Sequence, residues 1–134
     1  MEPTKQTTVL LVEDDKLLRD ILAMKLSKES YKILHALDGE SALKTIEEHK
    51  PDVVLLDIIL PGINGFEVLK RMQENPESKK IPVIFVSNLG QQEDIDRAKA
   101  LGGVDFYVKA NFTADEIVQK LHTYIEEHIK KGDL

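Results

Sequence analysis

The chain contains no cysteine, and this absence excludes disulfide bonds, thiolate catalysis and zinc sites built from cysteine. No apolar run approaches the roughly 20 residues that a membrane-spanning helix needs, and the polar segment 1–8 does not have the pattern of a signal peptide. These absences predict a soluble, cytoplasmic protein without a membrane segment. The sequence has four histidines, and they lack the spacing of metal ligands: His35, His49, His122 and His128.

Positive charge is in deficit, since 18 lysines and arginines stand against 24 acidic residues and give a formal net charge of −6. Binding of nucleic-acid phosphates without sequence preference needs a basic face. The charge balance therefore predicts no direct contact with nucleic acid. A protein partner or a cation is the expected ligand instead.

The apolar content is sufficient for a core, because 42% of the 134 residues are hydrophobic. A chain of this length fits one domain and does not need a covalent cross-link to fold. We predict a single domain over residues 8–131. The segments 1–7 and 132–134 are predicted to be flexible termini.

Short apolar runs alternate with amphipathic helical patterns five times along the chain. Continuous apolar runs such as the one at 53–56 are typical of strands buried on both faces of a parallel sheet. The alternation requires right-handed crossovers and predicts an α/β fold, with a parallel five-stranded sheet sandwiched between helices. The predicted strands are 8–12, 31–36, 53–56, 82–86 and 104–108.

Several helix boundaries have local signals in the sequence. Asp38 is placed to cap the second helix, and Thr113 with Glu116 matches a capping box at the start of the last helix, which is predicted to run to about residue 131. The helix from Gln91 to Leu101 has a thin apolar face and is expected to be loosely held. On the first helix, the pattern assigns Arg19 to the solvent-exposed face.

Chemically functional residues stand at the ends of four of the five predicted strands. In a parallel sheet all carboxyl ends lie on one edge, which is where open α/β sheets place their ligand sites. These residues are therefore expected to form one pocket although they are far apart in sequence. They are Glu13, Asp14, Asp57, Ser87 and Lys109.

Clustered carboxylates repel one another unless a cation neutralises them, and an all-oxygen set suits Mg²⁺. Lys109 can pair with Asp57 or with a phosphoryl oxygen, and the Ser87 hydroxyl can donate a hydrogen bond to the same group. Taken singly, each residue has a simpler interpretation: an acid before a helix is usually a cap, and Ser or Lys after a strand is usually a turn or surface residue. Their joint occurrence favours a functional magnesium site.

The motifs around these residues resemble one known family, the receiver domain of bacterial two-component response regulators (CheY-like domains). The resemblance covers about residues 8–130. It implies a flavodoxin-like, doubly wound (βα)5 sandwich. The strand order 2-1-3-4-5 is likewise implied, because it is the order of flavodoxin-like folds. Two motifs lie at the first and last strands: Leu-Val-Glu-Asp-Asp at 11–15 and Phe-Tyr-Val-Lys at 106–109. The others are Leu-Leu-Asp at 55–57, followed by Leu-Pro-Gly at 60–62 and Asn-Gly at 64–65, and Val-Ser at 86–87.

The resemblance also implies a role for each matching residue. Asp57 would be the phosphoacceptor and a metal ligand. Asp14 would bind Mg²⁺ directly, Glu13 through water, and Ile59 through its main-chain carbonyl, while Asp15 would only cap the first helix. The phosphoryl oxygens would be held by Ser87 and Lys109, and the switch residues would be Ser87 and Phe106.

The function implied is that of a stand-alone receiver, expected because no output domain follows the last predicted helix. It would take a phosphoryl group from the phosphohistidine of a sensor histidine kinase or phosphotransfer protein and switch its binding to a downstream protein. It would be no enzyme beyond assisting its own phosphorylation and dephosphorylation. A phosphorylation-dependent homodimer is left open.

Three positions depart from the family pattern. Asn88 stands where Ala or Gly is usual beside the phosphoryl path. Ala110 replaces the usual proline, and because a non-proline cis bond costs about 2.5–4 kcal/mol, we expect the Lys109–Ala110 bond to be trans or the loop to be rearranged. Phe106 lacks the hydroxyl that a tyrosine would offer.

Two other functions fit the same fold. One is a phosphorylation-independent interaction module, which would be preferred if Asp57 or Lys109 were missing, and both are present. The other is a Mg²⁺-dependent phosphohydrolase. Enzymes of that kind typically carry a second acid two residues after the nucleophile, and here that position is Ile59.

Overall fold

The computed structural model describes residues 6–129, which alternate strictly between strands and helices. A short 3-10 helix, Lys109–Asn111, joins the last strand to the last helix. The strands are β1 (Thr8–Val12), β2 (Lys32–Ala36), β3 (Val53–Leu56), β4 (Val83–Ser87) and β5 (Asp105–Val108). The helices are α1 (Lys16–Ser27), α2 (Gly39–His49), α3 (Gly65–Gln73), α4 (Gln92–Ala100) and α5 (Ala114–His128).

The five strands form one parallel sheet in the order β2-β1-β3-β4-β5. This confirms the predicted flavodoxin-like α/β fold and its strand order. The chain reverses its direction of winding between β1 and β3, which are neighbours in the centre of the sheet. Ligand sites of open α/β sheets lie at the carboxyl edge beside such a reversal.

Alternate residues of each strand face opposite sides of the sheet and build two separate cores. In β3, Val54 and Leu56 pack with α2, α3 and α4, whereas Val53 and Leu55 pack with α1 and α5. All four of these side chains are buried. Burial on both faces explains why β3 is a continuous apolar run in the sequence.

The predicted helix caps are confirmed where the structure describes them. Asp38 accepts a hydrogen bond from the Ser41 amide at 2.7 Å, and Thr113 and Glu116 form the reciprocal capping box of α5. Asp15 is the N-cap of α1. These side chains satisfy amide groups that have no partner within the helix, so they fix where each helix begins.

Helix α4 is thinly attached, as its sequence predicts. Ala98 is its one buried residue. Its other notable contact is the guanidinium of Arg97, which lies 4.3 Å from the centre of the Phe66 ring at the start of α3. A helix with so little buried apolar surface has a low local stability and can shift at small cost.

The ends of the domain differ in part from the prediction. Thr7, assigned to the flexible segment 1–7, is buried, and its carbonyl accepts a hydrogen bond from the Lys32 amide at 2.9 Å. Helix α5 ends at His128 and Ile129 is its C-cap, so the helix stops before the predicted residue 131. Residues 1–5 and 130–134 lie outside the described residues. Between residues 6 and 129, no helix is long and apolar enough to cross a membrane.

Candidate functional site

The site lies at the carboxyl edge of the sheet, where four neighbouring strands end. The register pairs Val12 of β1 with Leu56 of β3, so Glu13 and Asp57 follow side by side. Ser87 is the last residue of β4 and pairs with Val108, the last residue of β5, so Lys109 follows directly after the end of β5. The parallel register thus brings to one edge residues that are up to 96 positions apart in sequence, since Lys109 minus Glu13 is 96.

Three carboxylates and one ammonium form the centre of the site. Oxygen atoms of Glu13, Asp14 and Asp57 all lie within 4.8 Å of one another. The Lys109 ammonium donates to Glu13 Oε1 at 2.7 Å and to Asp57 Oδ2 at 2.9 Å. Glu13 and Asp57 are buried, whereas Asp14 is exposed at the mouth. Three negative charges therefore share one positive charge.

The electrostatic balance is visible in two pKa shifts. Burial raises the pKa of Glu13 above its ordinary value, and the nearby Asp57 adds to that rise, although Lys109 opposes it. Burial alone would lower the pKa of Lys109, but its hydrogen bonds to Asp57 and Glu13 outweigh burial and raise the pKa. Lys109 is therefore held firmly in its charged form, and a further cation would relieve the excess negative charge.

Backbone hydrogen bonds and close packing against the start of α3 fix the position of the Asp57 side chain. Its amide donates to the Val12 carbonyl at 3.1 Å, and its Oδ1 accepts a hydrogen bond from the Ile59 amide at 3.3 Å. Gly65 is packed directly on the Asp57 and Ile58 backbone, and a Cβ there would collide with it. The carboxylate is thus fixed on a short, tightly packed turn between β3 and α3.

The remaining predicted residues lie around this centre. Ser87 is fully buried, and its Oγ accepts a hydrogen bond from the Leu89 amide at 3.4 Å. Asn88 is exposed, and the side chain of Ile59 is half exposed. Phe106 is half-buried, with its ring 5.9 Å from that of Phe85.

The bond after Lys109 has the expected geometry. Within residues 6–129 no peptide bond is cis, so the Lys109–Ala110 bond is trans. The chain forms the 3-10 helix Lys109–Asn111 and continues to the capping box of α5. With alanine at position 110, the Lys109 ammonium reaches the carboxylates of Glu13 and Asp57.

One residue of the site was not predicted from the sequence. Arg19, assigned to the solvent-exposed face of α1, is half-buried and donates through Nη1 to the Glu13 carbonyl at 2.9 Å and to the Asp14 carbonyl at 3.4 Å. The signal was an arginine in the first turn of a helix that follows an acidic pair directly. A long cationic side chain at that place can fold back onto the loop from which its helix starts.

The donor set fits a hard divalent cation. Carboxylate oxygens are preferred ligands of Mg²⁺, which uses one or two of them and keeps other positions for water or phosphate oxygens. Asp14, Asp57 and Glu13 supply carboxylate oxygens within one small volume. The site lacks thiolate and imidazole, the ligands that would favour zinc.

Comparison with known proteins identifies one family. A family model described as the response regulator receiver domain matches residues 9–122. A putative response regulator from Chloroflexus aurantiacus has a similar structure, with a TM-score of 0.82 and 29% identity over 91% of this chain and 99% of that one. The Vibrio cholerae chemotaxis protein CheY4 has a TM-score of 0.81 and 25% identity, over 89% of this chain and 98% of that one.

A third similar structure was solved with a metal. It is the Mn²⁺-bound form of the response regulator Rcp1, with a TM-score of 0.79 and 26% identity over 92% of this chain and 96% of that chain. Its metal is a divalent cation, the class of ion that the acidic cluster of this chain fits.

Proposed function

The chain belongs to the family of response regulator receiver domains, and on that premise we propose that it accepts a phosphoryl group on Asp57 from a protein phosphohistidine. The observation that carries the proposal is the Asp57 carboxylate, which is buried at the end of β3 and bound by the Lys109 ammonium at 2.9 Å. The donor would be a histidine kinase or a phosphotransfer protein. The product would be an acyl phosphate.

The transfer is a nucleophilic displacement at phosphorus. A carboxylate oxygen of Asp57 forms a bond to phosphorus while the bond from phosphorus to the donor histidine nitrogen breaks, and that nitrogen keeps the electron pair. Lys109 offsets negative charge on the phosphoryl oxygens, and the Ser87 hydroxyl can donate to one of them. Such a transition state needs positioning and electrostatic stabilisation more than covalent help.

Mg²⁺ fits this proposal as a cofactor. Asp14, Asp57 and the main-chain carbonyl of Ile59 would hold it directly, and Glu13 through water. When bound, the cation supplies positive charge that neutralises the carboxylates and the incoming phosphoryl oxygens. The excess of carboxylates over Lys109 is the feature of this chain that supports such a cation.

The proposal is tested with a phosphohistidine-bearing protein as donor, in Mg²⁺ or in EDTA. We expect the label to leave the donor and appear on this chain only with Mg²⁺, in a bond that hydroxylamine cleaves, as it does acyl phosphates. A label that resists hydroxylamine, or transfer that is as fast in EDTA, would contradict the proposal.

A bound phosphoryl group would compete with Glu13 and Asp57 for Lys109 and would also accept from Ser87. This change of partners would alter the surface that binds other proteins. A phosphoryl group adds about −1.5 to −2 charge and strong acceptors, enough to bias a two-state segment. Phe106 lines an open groove of about 280 Å³ together with Ile95 and Ala98 of α4, and this groove leaves its ring space to move. The segments expected to respond are α4 and β5, and the surface they change would bind a downstream protein or a second copy of the chain.

Amide hydrogen exchange tests this switch. Adding beryllium fluoride, which mimics a phosphoryl group, should change exchange first in α4 and in β5 around Phe106. The chain runs from Ser87 into α4, β5 ends next to Lys109, and α4 buries so little that it can shift easily. Asp57→Ala is the control and should show no response. A change confined to residues 15–50 would show that the signal leaves the site by another route.

The phosphorylated state is expected to be long-lived. Hydrolysis needs a water in line with the new bond, and polar side chains beside the site hold such a water best. The side chains two residues after Asp57 and after Ser87 are Ile59, half exposed, and Leu89, half-buried, and neither can orient water. Asn88, next to Ser87, is exposed, and its bulk would add to the shielding.

This lifetime is measured as loss of phosphate from the purified phosphoprotein. Replacing Ile59 by Asn and Leu89 by Glu together should speed the loss by roughly tenfold, because both new side chains can hold water near phosphorus. Ile59→Val with Leu89→Met is the apolar control and should hydrolyse at the wild-type rate. If the polar double variant is no faster than wild type, the shielding account is wrong.

A further inference from the structure

The segment between β1 and α1 carries two acids that have to stay close to Asp57 although all three side chains repel one another. Its first residue, Glu13, is anchored by its amide, which donates to the Ala36 carbonyl of β2 at 3.2 Å. Its last residue, Asp15, is anchored as the cap of α1. Between them, Asp14 is exposed, and repulsion favours a side chain turned away into water.

Arg19 contacts the backbone of this segment on both sides of the Asp14 Cα atom. Its Nη1 donates to the Glu13 carbonyl at 2.9 Å and to the Asp14 carbonyl at 3.4 Å. These carbonyls belong to the two peptide planes that meet at the Asp14 Cα atom. The orientation of those planes sets φ and ψ of Asp14, and with them the direction in which its side chain leaves the backbone.

We propose that Arg19 is a positioning residue that presents the Asp14 carboxylate to a divalent cation by fixing the peptide planes on both sides of it. The inference rests on the proposed function, because it concerns the affinity of the same metal site. Arg19 suits the task since its guanidinium is always charged and its Nη1 carries two hydrogens, which allows one nitrogen to donate to both carbonyls. Groups that orient metal ligands typically contribute 10- to 100-fold to metal affinity.

Electrostatics alone predicts the opposite effect. Arg19 carries a positive charge near the acidic cluster, so its removal would strengthen cation binding if charge were all that mattered. If it orients Asp14, its removal weakens cation binding. The sign of the change therefore separates the two explanations.

The experiment is a Mg²⁺ titration of the full chain without phosphodonor, followed by the amide chemical shifts of Asp14 and Asp57. We expect Arg19→Gln to bind Mg²⁺ about tenfold more weakly than wild type. Lys16→Gln is the matched charge control, because Lys16 is an exposed residue of the same helix turn whose ion-pair partner is Asp20. That control should bind with unchanged or slightly tighter affinity.

A second control separates positioning from general stability. Asp15→Ala removes the cap of α1, so it should lower the melting temperature in EDTA while its Mg²⁺ affinity stays at the wild-type value. Arg19→Lys keeps the charge and part of the reach and should restore some of the affinity. If Arg19→Gln does not fold, the test uses Arg19→Lys instead. We then expect Arg19→Lys to bind Mg²⁺ at least about threefold more weakly than wild type.

The outcomes are distinct. Wild type that does not bind Mg²⁺ would refute the metal site of the proposed function itself. Wild type that binds Mg²⁺, with Arg19→Gln binding as tightly or more tightly, would overturn the positioning role of Arg19 and leave the proposed function standing.

Discussion

Replacing Asp14 by alanine is expected to weaken Mg²⁺ binding by more than about a hundredfold and to abolish phosphorylation, whereas Asp15→Ala should spare both. The two acids are adjacent in sequence, but Asp14 belongs to the carboxylate cluster whereas Asp15 caps α1. Asp14 has a carboxylate oxygen within 4.8 Å of those of Glu13 and Asp57. Asp15 turns its carboxylate to α1 and accepts from the amides of Leu17 and Leu18, at 3.0 and 3.3 Å.

The comparison of the two variants also has a stability arm. Asp15→Ala should lower the free energy of unfolding by about 1 kcal/mol, the usual cost of losing a helix cap. Asp14→Ala should not lower it, since it removes one of three repelling carboxylates. Urea unfolding in EDTA and Mg²⁺ titration of the same samples measure both effects. Equal loss of phosphorylation in the two variants would show that the roles of the two acids are wrongly assigned.

Lys109→Ala is expected to slow phosphorylation by about 10²- to 10³-fold, the usual cost of losing one preorganised electrostatic group. It should also destabilise the metal-free protein by roughly 3–5 kcal/mol, because it leaves Glu13 and Asp57 buried without their shared cation. Mg²⁺ should restore much of that stability, since it neutralises the same carboxylates. Thermal unfolding with and without Mg²⁺ measures this part.

The control for this variant is Lys80→Ala, which removes an equal charge from an exposed loop and should change neither quantity. Wild-type phosphorylation in Lys109→Ala would show that the ammonium takes no part in the transfer. Unchanged stability in EDTA would show that its two short contacts contribute nothing to the folded state.

Most of the fold could be predicted from the sequence, because the sheet is parallel and buried on both faces. Such strands are continuous apolar runs, and the helices between and after them have their own patterns and caps, as at Asp38 and Thr113. The five-strand alternation then fixes which residues share the carboxyl edge. Local signals were therefore enough to bring the ends of β1, β3, β4 and β5 together.

What could not be predicted depends on contacts between segments that are distant in sequence. No local pattern shows that Lys109 divides its hydrogen bonds between Glu13 and Asp57, or that Glu13 is buried enough for its pKa to rise. The inward path of Arg19 was missed because helical periodicity describes where Cα–Cβ bonds point. A long side chain that starts on the exposed face can still return to its own N-terminus.

The chain ends show a similar limit. The polar segment before β1 gave no sign that Thr7 is buried, since its carbonyl pairs with Lys32 across the sheet edge rather than with a neighbour in sequence. The replacement of proline by Ala110 was visible, but not that the loop would form a 3-10 helix. The burial of Thr7 depends on its contact with a distant strand, which no local pattern shows.

The most direct test of the central claim is the mass of the intact protein after incubation with a small phosphodonor and Mg²⁺, for wild type and for Asp57→Ala. The account predicts that wild type gains one phosphoryl group, that Asp57→Ala gains none, and that EDTA prevents the gain. An equal gain on both proteins, or no gain on wild type that binds Mg²⁺, would contradict the claim that Asp57 is the phosphoacceptor.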